Sequence, residues 1–171
     1  MNIIKYRGIA PKIDPSAYVS EGVYIIGDVA IGANSNIWFG SILRGDVAPI
    51  TVGQNTNIQD GTIIHTSRNN GPTHIGDNVT VGHRAVIHAC TIADYGFVGM
   101  SATVMDKAVI EPFGFVAAGA LVAPNKVVGS KQLWAGVPAK YMRDLTEVEI
   151  EHIKKSAEHY VRLSKEYINE I

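Results

Sequence analysis

A six-residue period in the branched aliphatic side chains constrains the fold of this chain more than any other feature. Between residues 25 and 122, isoleucine, leucine or valine recurs mostly at every sixth position. The recurring residues are Ile25, Ile31, Ile37, Leu43, Val52, Ile58, Ile64, Ile75, Val81, Ile87, Ile92, Val98, Val104, Ile110, Val116 and Val122. An amphipathic helix would instead place apolar residues three and four apart. The period therefore argues against helices in this region.

Each six-residue unit predicts one short strand and one corner. The β-branched residue fits the inward side of a pleated strand. The glycine that follows it at Gly32, Gly53, Gly76, Gly82 and Gly99 tolerates a backbone geometry or a close approach that a Cβ would oppose. Three units close a triangular coil, and the coils above and below supply the core. The sequence therefore predicts an all-β solenoid of parallel strands.

Three steps depart from the period. The step from Leu43 to Val52 is nine residues, the step from Ile64 to Ile75 is eleven, and the step from Ile87 to Ile92 is five. The inward aliphatic set cannot slip in register without exposing the core. We therefore expect the extra residues to bulge outward as loops while the coil resumes its register.

The repeats give way to a helical pattern near the C-terminus. Thr146-Glu147-Val148-Glu149 has the form of a helix capping box. Apart from Ser164, the residues that follow keep helical spacing and predict one packed face. These apolar residues are Ile150, Ile153, Ala157, Val161 and Ile168. We expect a single domain over residues 1–171, with the solenoid at about 10–140 and a C-terminal α-helix at about 146–170.

Composition and charge exclude some classes of partner. Fifteen Lys and Arg residues against sixteen Asp and Glu residues leave a formal charge of −1, which gives no broad field for nucleic acid or an anionic membrane. Cys90 is the sole cysteine, so no intrachain disulfide can form. The N-terminal segment, broken by Lys5 and Arg7, lacks the apolar run of a signal peptide. We expect a cytoplasmic protein that binds neither nucleic acid nor membrane.

Two histidines fall in one column of the solenoid. Arg44, His65 and His88 each directly follow an inward aliphatic residue, so they stack on successive rungs about 4.8 Å apart. His65 and His88 can therefore turn their rings toward one metal ion. His83 belongs to a different side of the prism, with Asp60 directly beneath it. His83 is thus expected to complete the site of a neighbouring subunit rather than its own.

This arrangement predicts a homotrimer with three metal sites. Three prisms around a threefold axis bring one side of each subunit against another side of the next, and three such interfaces close the ring. Three neutral imidazoles with one open position are typical of catalytic zinc, although imidazole also suits Fe²⁺ and Co²⁺. A structural alternative is open for other residues: Arg44 and Asp46 could form an interfacial ion pair, and Gln59 and Asp60 could satisfy backbone groups at a corner.

These residues resemble the γ-class carbonic anhydrases of the hexapeptide-repeat superfamily. The matching segments are Arg44-Gly45-Asp46, Asn57-Ile58-Gln59-Asp60-Gly61, His65, and Gly82-His83-x4-His88. The resemblance implies a left-handed parallel β-helix, and zinc bound by His65, His83 and His88 at a trimer interface. It also implies that Gln59 orients the hydroxide that attacks carbon dioxide to give bicarbonate. Arg44, Asp46 and Asp60 match family residues that form intersubunit ion pairs and support the site.

The chain departs from that family where protons leave the site. Members of the class carry glutamates just after the Arg-Gly-Asp segment and in the following loop, but Val47 occupies the first position and residues 66–74 contain no carboxylate. His74 could substitute as the proton shuttle, or could be a solvated loop residue.

Two other functions stay open. The segment Ala135-Gly136-Val137-Pro138-Ala139-Lys140 is similar to one found in hexapeptide acyltransferases, which favours an acyl-CoA transferase as the alternative. A further alternative is an assembly protein in which the metal stabilises the trimer without catalysis.

Overall fold

The computed structural model describes residues 2–68 and 71–170 and has the predicted fold. The chain forms a left-handed parallel β-helix of about seven turns, followed by one C-terminal helix. In the described residues, no helix is both long and apolar enough to span a membrane.

Most strands are only two or three residues long because each occupies one side of a triangular coil. In chain order they are β1 (Asn2–Ile4), β2 (Lys12–Ile13), β3 (Tyr18–Val19), β4 (Tyr24–Ile31), β5 (Asn36–Ile37), β6 (Ile42–Val52), β7 (Asn57–Ile58), β8 (Ile63–His65), β9 (Thr73–Ile75), β10 (Thr80–Val81), β11 (Val86–His88), β12 (Thr91–Ile92), β13 (Phe97–Val98), β14 (Thr103–Val104), β15 (Val109–Ile110), β16 (Phe115–Val116), β17 (Leu121–Val122), β18 (Val127–Val128), β19 (Gln132–Gly136) and β20 (Ala139–Asp144). The helix α1 spans Glu147–Glu170.

Strand pairing defines three faces of the prism. Face one stacks the first halves of β4 and β6 with β8, β11, β14 and β17, and places Leu43, Ile64 and Ile87 in one ladder. Face two stacks the second halves of β4 and β6 with β9, β12, β15 and β18. Face three runs from β3 through β5, β7, β10, β13 and β16 to β19 and places Ile58 beside Val81. The side assignments predicted from the sequence are therefore confirmed.

The core of the solenoid consists of the predicted inward residues. Every aliphatic residue of the six-residue pattern is buried, and none exposes more than 4% of its surface. Each packs against the equivalent residue one rung above or below, and one more coil continues the pattern at Val128. Burial of a side chain of this kind contributes about 1.5–3 kcal/mol, so the column of aliphatic residues dominates stability.

The repeated glycines are required by packing between coils. A Cβ on Gly32 would lie 2.7 Å from the backbone carbonyl of Gly53 in the next coil, whereas the φ of Gly32 is not positive. The left-handed backbone of the corners falls two residues later, at Asn34 (φ 55°), Asn55 (φ 54°) and Asn78 (φ 56°). Asparagine tolerates this conformation better than most residues.

The departures from the period are accommodated in three ways. The extra residues before Val52 do not leave the sheet as a loop, because β6 continues through them and bulges between Gly45 and Ile50 against β4. The expectation of an outward loop is wrong at this step. The long step before β9 does form a loop, closed by a bridge between Ser67 and Gly71. The short step is a tight corner at Ala89, whose φ is 47°.

Helix α1 begins at the predicted capping box and packs on face three. The backbone nitrogen of Thr146 donates to Glu149 Oε2 at 2.9 Å, and the backbone nitrogen of Glu149 donates to Thr146 Oγ1 at 3.3 Å. The buried helix residues are Ile150, Ile153, Ala157 and Ser164. Ser164 is therefore part of the packed face and bonds the carbonyl of Val161. Ile168 is 55% exposed, so its predicted place in that face is wrong.

We predict that Gly99→Ala destabilises the protein by about 1–3 kcal/mol. The new Cβ would meet the Ala118 backbone nitrogen and lie 2.8 Å from the Ala117 carbonyl carbon, so the coils would have to separate. Gly119→Asn is the control, because Gly119 (φ +69°) has open space and occupies a corner that other coils fill with asparagine. Urea unfolding should give a lowered free energy for Gly99→Ala and a value close to wild type for Gly119→Asn. Equal stability of all three proteins would contradict the close-packing argument.

Candidate metal centre

His65 and His88 lie side by side on face one, as the column of the repeat predicts. Strands β8 and β11 pair these two residues directly, and Arg44 of β6 pairs with His65 on the other side. His65 Nδ1 and His88 Nε2 are 3.3 Å apart, and both side chains are partly buried. The register of the solenoid alone therefore brings two ring nitrogens to one point.

The spacing of these nitrogens fits a zinc ion. Two nitrogens bound to zinc at about 2.0–2.1 Å in tetrahedral geometry lie about 3.3–3.4 Å apart. The observed 3.3 Å matches that edge length. The pair therefore presents two of the ligands that a tetrahedral site requires.

Aspartates hold both rings by their other nitrogens. His65 Nε2 lies 2.9 Å from Asp46 Oδ1, and His88 Nδ1 lies 2.7 Å from Asp106 Oδ1. An imidazole that donates one N–H to a carboxylate keeps the lone pair of its other nitrogen free for a metal. The sequence analysis did not single out Asp106. Its position one rung beyond His88, two residues after Val104, is the signal that could have identified it.

Both aspartates favour their charged form. Burial raises the pKa of Asp46, but hydrogen bonds from His65 and Arg44 and the Arg44 charge outweigh it, so the net pKa is lowered. Burial likewise raises the pKa of Asp106, but contacts with His88 and a hydrogen bond from Ser67 outweigh it, so the net pKa is lowered. Each histidine therefore faces a carboxylate ready to accept its N–H.

His83 lies at the corner that follows β10, away from the other two histidines. Its Nδ1 is 2.8 Å from Asp60 Oδ2, and the His83 and Asp60 side chains are 41% and 43% exposed. Its Nε2 is thus the nitrogen available for another ligand. Within residues 2–68 and 71–170, no three His, Cys, Asp or Glu side chains of one chain converge in a way that could hold a metal.

Gln59 shares a cavity with His83. The cavity has a volume of about 360 Å³, and Phe97 and Phe115 form part of its apolar wall. Gln59 is 6% exposed, and its Nε2 donates to Asn57 Oδ1 at 2.9 Å. This hydrogen bond fixes the orientation of the amide and leaves Oε1 as a free acceptor.

Arg44 and His74 each contact a residue of their own chain. Arg44 donates to Asp46 of its own chain, so an intersubunit role for this pair stays a prediction. His74 lies on β9 in face two, where its Nδ1 contacts Thr51 Oγ1 at 2.8 Å. Faces one and two point in different directions, so His74 does not join the column of His65 within its chain. A role of His74 as the proton shuttle stays a prediction.

Cys90 lies in the core rather than at the site. Its side chain is buried at the tight corner after β11, and this burial raises the pKa of the thiol to about 12. The thiol is therefore neutral and weakly nucleophilic near pH 7.

Comparisons with known proteins agree with the fold and identify the family. No model of a protein family matches the chain. "Gamma carbonic anhydrase 2, mitochondrial" of Arabidopsis thaliana is 49% identical over 166 residues, which cover 94% of this chain and 60% of that protein. The chain thus spans about three fifths of the length of this plant relative. The mitochondrial location belongs to the plant protein, and the cytoplasmic location of this chain stays a prediction.

Two further proteins match over nearly their whole length. A crystal structure of a hexapeptide transferase family protein from Anaplasma phagocytophilum superposes with a TM-score of 0.94 at 49% identity, covering 97% of this chain and 98% of that one. The carbonic anhydrase of Geobacillus kaustophilus is 41% identical over 165 residues, covering 96% of this chain and 90% of that protein. With this identity and coverage, the chain belongs to the γ-class carbonic anhydrase-like family of hexapeptide-repeat proteins.

Proposed function

We propose that the protein is a zinc-dependent carbonic anhydrase that interconverts carbon dioxide and bicarbonate. The ligands are His65 and His88 of one subunit and His83 of a neighbour in a homotrimer. One observation carries the proposal: each of these histidines has one ring nitrogen against an aspartate, and the remaining nitrogens of His65 and His88 face each other at 3.3 Å. Three separate carboxylate–histidine pairs are what a three-histidine metal site needs.

The trimer follows from the faces that carry the ligands. His65 and His88 are on face one, whereas His83 is at the end of a face-three strand. A ring of three prisms brings face one of each subunit toward face three of the next and closes after three contacts. This geometry gives three equivalent sites, each with one position left for substrate.

The chemistry needs a metal, and the protein residues orient the reactants around it. A bound zinc ion supplies a nucleophile at neutral pH because it lowers the pKa of water to about 7. Asp46, Asp106 and Asp60 hold the three imidazoles in the tautomer that leaves a lone pair for coordination. In this proposal, Gln59 Oε1 accepts a hydrogen bond from the attacking water and so directs its lone pair toward the substrate carbon.

The apolar cavity suits the neutral substrate. Phe97, Met100 and Phe115 line the space beside His83 and Gln59. A small uncharged molecule such as carbon dioxide loses no strong hydrogen bonds when it enters an apolar space. A water molecule that enters the same space does lose hydrogen bonds. The residues beside the site therefore favour carbon dioxide over bulk water.

The name of the Anaplasma relative, a hexapeptide transferase family protein, supports the transferase alternative. The segment 135–140 that suggested it forms the turn between β19 and β20, where the chain leaves the solenoid. Acyl transfer is therefore kept as the second candidate. An acyl-CoA turnover assay on the same preparation separates the two.

We predict that His65→Ala abolishes carbon dioxide hydration and lowers the bound metal to a small fraction of one ion per subunit. The variant removes one ligand and leaves Asp46 with Arg44 alone. Stopped-flow hydration and metal analysis are the measurements, and His152→Ala, on the exposed side of α1, is the matched control. The metal analysis also decides between zinc, iron and cobalt. If the wild-type protein binds about one metal ion per subunit but shows neither hydration nor acyl transfer, it is an assembly protein instead.

We predict that mixing inactive variants restores metal sites. His83→Ala and His88→Ala trimers should each lack metal, but an equal mixture refolded together should bind about one quarter of the wild-type amount. Half of the sites then have an intact His65–His88 pair, and half of those face an intact His83. Recovery of no metal, with trimers confirmed by light scattering, would rule out a site shared between subunits.

We predict that Asp46→Asn weakens zinc binding about 10- to 100-fold while the trimer stays folded. The amide cannot accept the His65 N–H in the same way, so the ring loses its fixed orientation. Competition with a chromogenic zinc chelator measures the affinity. Asp14→Asn is the control, because the Asp14 carboxylate accepts its hydrogen bonds from nearby Ser16, away from the histidines. An affinity equal to wild type would show that Asp46 does not position the ligand.

A further inference from the structure

Arg68 lies between two polar cavities on either side of the histidine pair. One cavity, of about 450 Å³, is lined by Tyr6, Arg7, Asp46, Val47 and Arg68. The other, of about 360 Å³, includes Arg68, Lys107 and Asp106 in its lining. Arg68 is the residue common to both. The two cavities therefore form one basic rim, made of Arg7, Arg68 and Lys107.

This basic rim borders the candidate metal centre. Asp46 lies in the first cavity and contacts His65 at 2.9 Å, while Asp106 lies in the second and contacts His88 at 2.7 Å. A molecule in either cavity is thus separated from a histidine ligand by one carboxylate. The rim is a position beside the site rather than part of its coordination.

The loop that carries Arg68 is tied to the same histidines. The backbone nitrogen of Ser67 donates to the carbonyl of Gly71 at 2.9 Å, which closes the loop. Thr73 Oγ1 donates to the carbonyl of His65 at 2.6 Å, and the Ser67 side chain hydrogen-bonds Asp106. These contacts hold Ser67, next to Arg68, beside Asp106 and hold Thr73 beside His65.

The charge of the rim is not cancelled locally. Within residues 2–68 and 71–170, none of Arg7, Arg68 and Lys107 forms an ion pair with a carboxylate. All three side chains are exposed, and the Arg7 guanidinium lies 5.3 Å from the centre of the Tyr6 ring. Asp46 is compensated by Arg44. The Asp106 carboxylate offsets one of the three cationic charges, so the rim presents a net positive charge.

We propose that this rim is a docking site for bicarbonate, with Arg68 as its central residue. The proposal rests on the proposed function, because that function makes bicarbonate the charged reactant. A guanidinium presents two parallel N–H donors that match a planar oxyanion, and Arg68 can turn them into either cavity. Carbon dioxide carries no charge and gains nothing from the rim. Arg68 thus acts on the anion at entry and release.

The equilibrium constant of the reaction restricts what Arg68 can change. The ratio of kcat/KM for hydration to kcat/KM for dehydration is fixed by thermodynamics, so no side chain can favour one direction. Loss of docking must instead raise the KM for bicarbonate and weaken inhibition of hydration by bicarbonate. Both effects should diminish at high salt, because the rim is exposed.

We expect Arg68→Gln to raise the dissociation constant of bicarbonate for the zinc-loaded trimer about five- to tenfold, by loss of a charged hydrogen bond. Isothermal titration with sodium bicarbonate at constant ionic strength measures it, and sodium nitrate, another planar monoanion, should show the same loss. Arg68→Lys should recover part of the affinity. Arg162→Gln, an exposed arginine on α1, is the charge-matched control and should bind as wild type.

Imidazole is the probe that separates docking from damage to the metal centre. It is a neutral metal ligand, so its affinity and the zinc content should be the same in wild type and Arg68→Gln. Bicarbonate affinity equal to wild type in Arg68→Gln would overturn the docking site even if hydration is observed. An equal loss of imidazole affinity would also overturn it. If the wild type binds bicarbonate through Arg68 but hydrates no carbon dioxide, the proposed function fails and the docking site stands.

Discussion

Stacking of branched aliphatic side chains between successive coils is the contact on which the rest of this structure depends. It fixes the register of each strand against the next to a single residue, since a slip by one would turn the aliphatic column out of the core. His65 and His88 inherit that register because each follows a core residue directly. The 3.3 Å between their ring nitrogens is therefore a consequence of core packing, with no dedicated loop needed to bring them together.

The solenoid and the aspartates have separate tasks at the site. The backbone decides which side chains are neighbours, and Asp46, Asp106 and Asp60 decide how the rings are turned. Ring orientation matters because only the nitrogen without a proton can bind a metal. The charged form of Asp46 and Asp106 is favoured by the same hydrogen bonds that hold the rings. Geometry and protonation are thus set by one group of contacts.

The fold and the relative positions of the histidines could be predicted from the sequence, because a solenoid converts residue spacing into position. Counting in sixes placed His65 beside His88 and put His83 on another face. Counting fails where the answer depends on three-dimensional contacts. Asp106 was missed because its role depends on side-chain reach across a rung, and Ile168 was misplaced because the face of α1 is defined by what face three offers it.

The path of α1 has a consequence for how the chain comes apart. Solenoids are stabilised by nearest-neighbour contacts and tend to lose terminal coils one at a time. Here the last element of the chain contacts β3, β5, β7 and β10, which belong to the earlier coils. Trp38 of that region packs edge-on against Tyr160 and Tyr167 of the helix. The helix therefore couples the first coils to the last residues of the chain. Unfolding that begins at the N-terminal coils must also detach the C-terminal helix.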